Sequence, residues 1–247
     1  MHKKTIFLLF FSFVFVTAFP QLWIEAESGL AFEGYNDVGI PNGEDPGTRF
    51  SFTDDFELQG PVIPFRLRLG YSFAEKNHIF GLFAPLKLNY EGEAPFDIRF
   101  QESHFEAGEF IEGIYKFNSY RLTYRRDLLR HEHWTLGLGL TAKIRDARIK
   151  LSSVDKSDKK DDVGFVPLLH LYAARHWDRW SLFLEGDGLA GGPGRAFDFL
   201  LGAKTGLSEQ LELQAGYRFL EGGTRVDAVY NFSLIHFASV ALRYTFR

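Results

Sequence analysis

The chain has 247 residues, of which 45% are hydrophobic and 17% are aromatic, and it contains no cysteine. The lack of cysteine excludes a disulfide scaffold and a lipoprotein anchor, and the net charge of -4 argues against nucleic acid as a partner. The chain must therefore hold itself by packing and hydrogen bonding, and its length suits a single domain.

The first residues are typical of a secretory signal peptide. Two lysines are followed by an uncharged, mostly apolar run at residues 5–18. The run is shorter than the roughly 20 residues that a membrane-spanning helix needs. We therefore expect a signal peptide at 1–18, cleaved after Ala18, and a mature domain at 19–247. An uncleaved membrane anchor is the alternative.

The rest of the chain repeats one pattern. About ten residues with apolar side chains at every second position are followed by turn residues, and then the pattern returns. A period of two is typical of β-strands, and in a transmembrane β-barrel one face of each strand meets lipid while the other faces a polar interior. The sequence predicts an all-β, antiparallel up-and-down transmembrane barrel of ten strands, at about residues 22–33, 63–73, 80–90, 108–126, 134–145, 163–176, 180–187, 197–204, 211–219 and 239–246.

Some segments depart from this pattern. The phase blurs near Lys116 and Asn118, where we expect a β-bulge, and the fifth strand slips at Asp146. We expect the charged residues 155–162 to form an outer loop. Residues 50–56 and 96–100 also alternate weakly, which leaves twelve strands as an alternative. We prefer to interpret them as extensions of neighbouring strands beyond the membrane.

Connection lengths support an even number of strands. The connections after the second, fourth, sixth and eighth strands are tight, whereas those after the first, third, fifth and ninth are long and polar. Barrels of this type alternate short periplasmic turns with longer outer loops. Only residues 191–194, after the seventh strand, form a tight outer turn. Both termini are therefore expected in the periplasm.

Charged residues fall mainly on the predicted inner faces. The lumen of a ten-stranded barrel is narrow, so opposite charges inside it should pair, because an unpaired buried charge is very costly. We expect a structural plug of ion pairs, and a charged lining for a narrow solute path is the alternative. The residues predicted for this lumen network or for ligand binding are Arg66, Arg68, Arg121, Arg145, Asp146, Asp187, Asp198, Arg218, Glu221, Asp227 and Arg243.

The stretch 216–232 is the most unusual. Gly222 and Gly223 are flanked by acidic and basic residues, and two glycines permit a tight turn with positive φ. We expect a loop held by its own ion pairs, with a ligand-binding loop as the alternative. Asp146 and Asp187 could pair with this cluster across the barrel.

Catalytic and metal sites have little support. Ser103-His104 and Asp54-Asp55 lie in predicted outer loops. Adjacent residues of a strand point to opposite faces, which argues against Ser103 and His104 as nucleophile and base, and acidic pairs in surface loops are usually only solvated. His170 and His176 are about 20 Å apart along a strand. We expect no cofactor and no metal, and a membrane-embedded hydrolase acting on lipid or peptide at the outer rim is the competing function.

The closing stretch ASVALRYTFR resembles the C-terminal signal of Gram-negative outer-membrane barrels, although it ends on Arg247, one residue past the aromatic Phe246. The resemblance implies insertion into the outer membrane by the barrel assembly machinery, among outer-membrane lipid and lipopolysaccharide. We expect a monomer with a structural role or a role in passage or binding of a small solute. The resemblance implies nothing about a substrate.

Overall fold

A computed structural model describes residues 21–246, so the predicted signal peptide lies outside the described residues. Residues 21–246 form a closed antiparallel barrel of ten strands in which each strand pairs with the next and the last pairs with the first. The predicted fold and strand number are confirmed. Within this range no helix is both long enough and apolar enough to cross a membrane.

The barrel strands are β1 Gln21–Gly39, β4 Phe65–Phe73, β5 Asn77–Ala84, β6 Lys87–Glu93, β9 Phe110–Arg130, β10 Trp134–Ser152, β11 Ser157–His176, β12 Trp180–Gly191, β13 Gly194–Gly206, β14 Leu211–Val226 and β15 Val229–Thr245. The third barrel strand is built from two pieces, β5 and β6, which lie on either side of Pro85 and both pair with β9. Short elements lie between them: β2 Phe50–Ser51, α1 Phe52–Asp55, β3 Glu57–Leu58, β7 Ile98–Phe100 and β8 Ser103–Phe105.

An apolar belt surrounds the barrel, as the alternation predicts. Leu69 on β4 is 53% exposed and Leu122 on β9 is 56% exposed, while their strand neighbours face inward and are buried. Such exposure is costly in water and favourable in lipid, because apolar surface is stabilised when it leaves water. Other members of the belt are Leu30, Phe65, Leu138, Leu140, Leu169, Leu182, Leu201, Val240 and Leu242.

Above this belt the polarity of the strands inverts. On β9 the inward Tyr115 is buried and the outward Lys116 is partly exposed, and on β10 the inward Ile149 and Leu151 are buried. The β9–β10 ladder runs without interruption from Arg145↔Ser119 to Ser152↔Glu112. The bulge predicted near Lys116 is therefore wrong. The alternation of apolar residues becomes unclear near Lys116 because β9 leaves the lipid there. Its outward residues then face water, and its inward residues line an apolar core.

Two of the predicted long loops are also strands. β11 begins at Ser157, so residues 157–162 of the predicted outer loop pair with β10. β14 and β15 meet at a short turn after Val226. Gly222 and Gly223 lie inside β14, paired with β15, and do not form the predicted turn. The fifth and ninth connections are thus short hairpin turns at the ends of long strands.

The segment between β1 and β4 folds into the outer mouth of the barrel. Ser51 caps α1 by accepting from the Asp54 amide at 3.4 Å, and the ring of Phe52 stacks on Tyr90 with centroids 4.4 Å apart. Residues 50–51 (β2) pair with the end of β1 and residues 52–55 form α1, so 50–56 is a separate segment and not a barrel strand or an extension of one. β7 and β8 pair only with each other. The buried core of this outer half includes Val38, Ile40, Phe50, Phe52, Phe56, Leu88, Tyr90, Ile98, Phe100, Phe105, Ile111, Tyr115, Ile149, Leu151, Ile235 and Phe237.

Candidate functional site: the charged lumen

Asp198, on the inward face of β13, is one centre of the lumen. Three guanidinium groups donate to its carboxylate: Arg66 Nη2 at 3.0 Å, Arg121 Nη2 at 2.6 Å and Arg218 Nη1 at 2.6 Å. Arg66 and Arg121 reach Asp198 across the barrel from β4 and β9, whereas Arg218 comes from β14, which pairs with β13. The Asp198 side chain is 2% exposed. One carboxylate therefore ties together strands that do not pair with each other.

Glu25 and Glu27 on β1 form a second centre towards the end of the barrel that carries the termini. Arg218 binds Glu27 through two parallel hydrogen bonds of 2.8 Å. Glu25 accepts from Arg68 and, at 2.7 Å, from Arg243 Nη2. Arg68 also donates from Nη1 to Glu185 at 2.8 Å. Paired, forked contacts of this kind are the stronger hydrogen bonds of proteins, and here they are shielded from water.

Asp187 on β12 completes the network. Its carboxylate accepts from Arg121 Nη1 at 2.7 Å and from the Thr141 hydroxyl at 2.6 Å, and it lies 2.9 Å from His170 Nδ1. Arg121 thereby joins Asp187 to Asp198. The network is continuous from β1 around to β14.

The network leaves little free space. The cavity among Arg66, Arg121, His170 and Asp187 has a volume of about 20 Å³, which is room for about one water molecule. His170 Nε2 has no hydrogen-bond partner and lies 3.7 Å from Glu185. Buried charges are tolerated only when partners satisfy them, and each carboxylate of the network has at least one guanidinium partner.

The four remaining predicted residues do not take part in this network. Asp146 is on the outer face above the belt, where Lys116 Nζ donates to it at 2.7 Å. Arg145 pairs with Asp162 on β11. Neither Asp146 nor Asp187 contacts the Arg218 cluster as expected: Asp187 binds Arg121, and Arg218 binds Glu27 and Asp198.

Two more predicted residues lie near the outer end of the barrel. Glu221 accepts from Tyr35 at 2.6 Å and from Arg195 at 2.8 Å. The backbone carbonyl of Asp227 accepts from the backbone amide of Asn42 at 2.7 Å. The structure therefore gathers in the lumen only Arg66, Arg68, Arg121, Asp187, Asp198, Arg218 and Arg243.

The network also includes inward residues beyond those predicted as its main members. The alternation predicts that Glu25, Glu27 and Glu185 face the interior, and each of them is buried and binds an arginine. Thr141 was missed because a neutral hydroxyl between apolar residues carries no charge signal. Its hydrogen bond to Asp187 depends on the pairing of β10 with its neighbours, which a single sequence does not specify.

Comparison with known proteins identifies a fold only. No family model matches the chain, and no curated protein sequence matches it significantly. The outer membrane protease OmpT of Escherichia coli is similar in structure, with a TM-score of 0.63 and 8% identity over 92% of this chain and 97% of that one. The β domain of the Bordetella autotransporter BrkA has a TM-score of 0.51 and 10% identity over 92% of this chain and 99% of that one.

These likenesses agree with the features of the chain itself. A closed antiparallel barrel with an exposed apolar belt and a buried charged interior is suited to a bilayer and to no aqueous compartment. The chain therefore has the fold of an outer-membrane β-barrel and lies in the outer membrane.

Proposed function

We propose that the protein is a closed, non-conducting barrel whose lumen network is structural. The observation that carries this proposal is the convergence of Arg66, Arg121 and Arg218 on Asp198, with space for about one water beside them. A solute path would need mobile water along the axis. Here the charges bind each other across the barrel and occupy the space such a path would need.

A second layer supports the same conclusion. Above the charged network, the outer half of the lumen is filled by the apolar core, with Phe52 and Phe100 fully buried. An ion crossing this layer would lose its hydration without gaining polar partners, which is very costly. A narrow solute channel, the other function that the sequence predicted, would require both layers to open.

Planar-bilayer recording tests the proposal. The purified protein is reconstituted at single-molecule density, and a general porin added to the same membrane serves as the positive control for detection. We expect no discrete current steps from the wild type over a range of voltages. Reproducible, ion-selective steps would replace the structural role with a solute path.

A hydrolase at the outer rim is the second candidate. It is supported by His104 on β8, whose Nε2 lies 4.0 Å from Asp97 Oδ2, with both side chains more than half exposed. The structurally similar OmpT is named a protease. Asp55, in contrast, is used locally, since it accepts from the Ser51 amide at 2.7 Å. Cleavage of a peptide library by wild type and not by His104→Ala would favour this candidate.

We also propose a monomer surrounded by outer-membrane lipid and lipopolysaccharide and inserted by the barrel assembly machinery. Trp134, Trp177 and Trp180 are exposed near the periplasmic turns, and tryptophan is typical of the interface between lipid and water. Light scattering of the detergent complex should give the mass of one chain.

A further inference from the structure

A second polar cluster lies away from the lumen network, at the end of the barrel that carries the termini. The Ser72 hydroxyl is 2.9 Å from His78 Nδ1, and His78 Nε2 is 3.0 Å from Asp127 Oδ2. The three residues come from β4, β5 and β9. They point inward, into the opening of the barrel at that end, which the connection lengths predict to face the periplasm.

The local fold holds these residues in place. Ser72 and His78 are directly paired across the β4–β5 hairpin, so their side chains share one face. The Asp127 amide donates to the Lys76 carbonyl at 2.8 Å, which fixes β9 against the hairpin turn. The spacing of these residues in the sequence does not predict the cluster, because they meet only when the third and fourth barrel strands pair.

The order of the contacts is that of an activated nucleophile. A carboxylate that accepts from one ring nitrogen of histidine leaves the other free to take the proton of a serine hydroxyl. Asp127 is buried and also lies 3.2 Å from Arg125 Nε, which favours its charged form. The Asp127 and His78 side chains are 4% and 14% exposed, and Ser72 is partly exposed. The orienting acid is thus the most deeply buried member of the cluster, and the serine and histidine are both partly exposed.

We propose that Ser72, His78 and Asp127 form a hydrolytic site for carboxylic esters that reach the barrel from the periplasm. Ser72 Oγ bonds to the ester carbonyl carbon as its proton passes to His78 Nδ1. The carbon–oxygen bond to the alcohol then breaks, and the alcohol leaves with that proton. Water then bonds to the acyl carbon as its proton passes to His78 Nδ1. The bond between that carbon and Ser72 Oγ breaks, His78 returns the proton to Ser72 Oγ, and the carboxylic acid leaves. Asp127 is a positioning residue that orients the imidazole.

The chain contains its own comparison site. His176, at the same end of the barrel, lies 2.9 Å from both the Thr135 and Ser181 hydroxyls, and no carboxylate of the described residues hydrogen-bonds or ion-pairs with it. Ser181 therefore has a histidine neighbour but no orienting acid. A difference in reactivity between Ser72 and Ser181 would measure what Asp127 adds.

The experiment uses the full mature chain, folded in detergent, with a fluorophosphonate probe and p-nitrophenyl butyrate. We expect the probe on Ser72 by peptide mass spectrometry, and ester hydrolysis that Ser72→Ala abolishes. His78→Gln and Asp127→Asn should each reduce hydrolysis by about 10²-fold or more. Ser181→Ala and His176→Gln should leave it unchanged. Labelling that is absent from Ser72, or equal at Ser181, would overturn the proposal.

A thiol test covers variants that fold poorly. Because the chain lacks cysteine, Ser72→Cys and Ser181→Cys each introduce a single thiol. A thiol activated by an oriented histidine reacts faster at neutral pH, since the thiolate is the nucleophile. Iodoacetamide should alkylate Ser72→Cys at least about tenfold faster than Ser181→Cys, and adding His78→Gln should remove the difference. Equal rates would show that the cluster is only structural.

Discussion

Asp198 is the residue whose charge the lumen depends on most, because three arginines converge on it. Asp198→Asn keeps the shape of the side chain and removes its charge, which leaves those guanidinium groups close together and undercompensated. Removing one partner from a buried ion pair typically costs about 3–5 kcal/mol. We expect a loss of that size in the free energy of unfolding, measured by urea titration in lipid vesicles.

The control for this variant is Asp161→Asn. Asp161 on β11 pairs with Arg148 on β10, in the outer extension of these strands above the apolar belt, where both side chains are about 40% exposed. Exposed ion pairs contribute roughly 0–1 kcal/mol, so this variant should unfold close to the wild type. If Asp198→Asn were as stable as the control, the charge of Asp198 would not be needed for the plug.

The apolar mouth segment gives a second test at the residue scale. Phe52 is fully buried and stacks on Tyr90, and truncating a buried phenylalanine costs about 3–5 kcal/mol. We expect Phe52→Ala to release residues 40–64 to proteases while the barrel keeps its heat-dependent shift in gel mobility. The partly exposed Phe96→Ala is the control, and cleavage of both variants alike would contradict a specific anchoring role.

At the scale of elements, the sequence predicts the strands well within the belt and poorly above it. In lipid, the outward residues such as Leu140 are apolar and the inward ones such as Lys143 are polar. Above the belt, outward Arg148 is charged and inward Ile149 is buried. A search for strands with apolar residues outside and polar residues inside therefore fails at the edge of the belt. The alternation continues above the belt, but there the apolar residues face inward and the polar residues face water.

The outer extension of β9 and β10 should be sensitive to acid. The Nζ of Lys116 donates to Asp146 and lowers the pKa of that carboxyl. A carboxyl with a lowered folded pKa stabilises the fold above its unfolded pKa, and this contribution is lost as the pH falls through the folded value. We expect Asp146→Asn to be less stable than wild type at neutral pH.

Measuring the free energy of unfolding of wild type and Asp146→Asn at several pH values tests the direction of this effect. The difference in unfolding free energy should shrink steadily below about pH 4, the ordinary pKa of aspartate, as the wild-type carboxyl becomes protonated. Lys150→Gln, on the same outward face, should show no such pH dependence. A difference that stays constant down to pH 2 would mean that Asp146 acts through packing and not through its charge.

At the scale of the whole molecule, the sequence predicts the closure of the barrel and its orientation in the membrane, but not the partners across the lumen. The inward phase identifies Arg218 and Asp198 as interior residues. Which of them meet depends on strand tilt and stagger, and a single sequence does not specify these. The Ser72 cluster was missed for the same reason, since its members belong to three strands.

Orientation in the membrane can be tested cleanly because the chain has no cysteine. Val154, at the tip of the β10–β11 hairpin, is 95% exposed, and Glu75 lies in the short turn at the opposite end. If long strands and large connections face outward, Val154→Cys should react with a membrane-impermeant maleimide on intact cells. Glu75→Cys should react only after the outer membrane is permeabilised. The reverse pattern would invert the barrel and would place the Ser72 cluster at the cell surface, where esters of the medium and not of the periplasm would reach it.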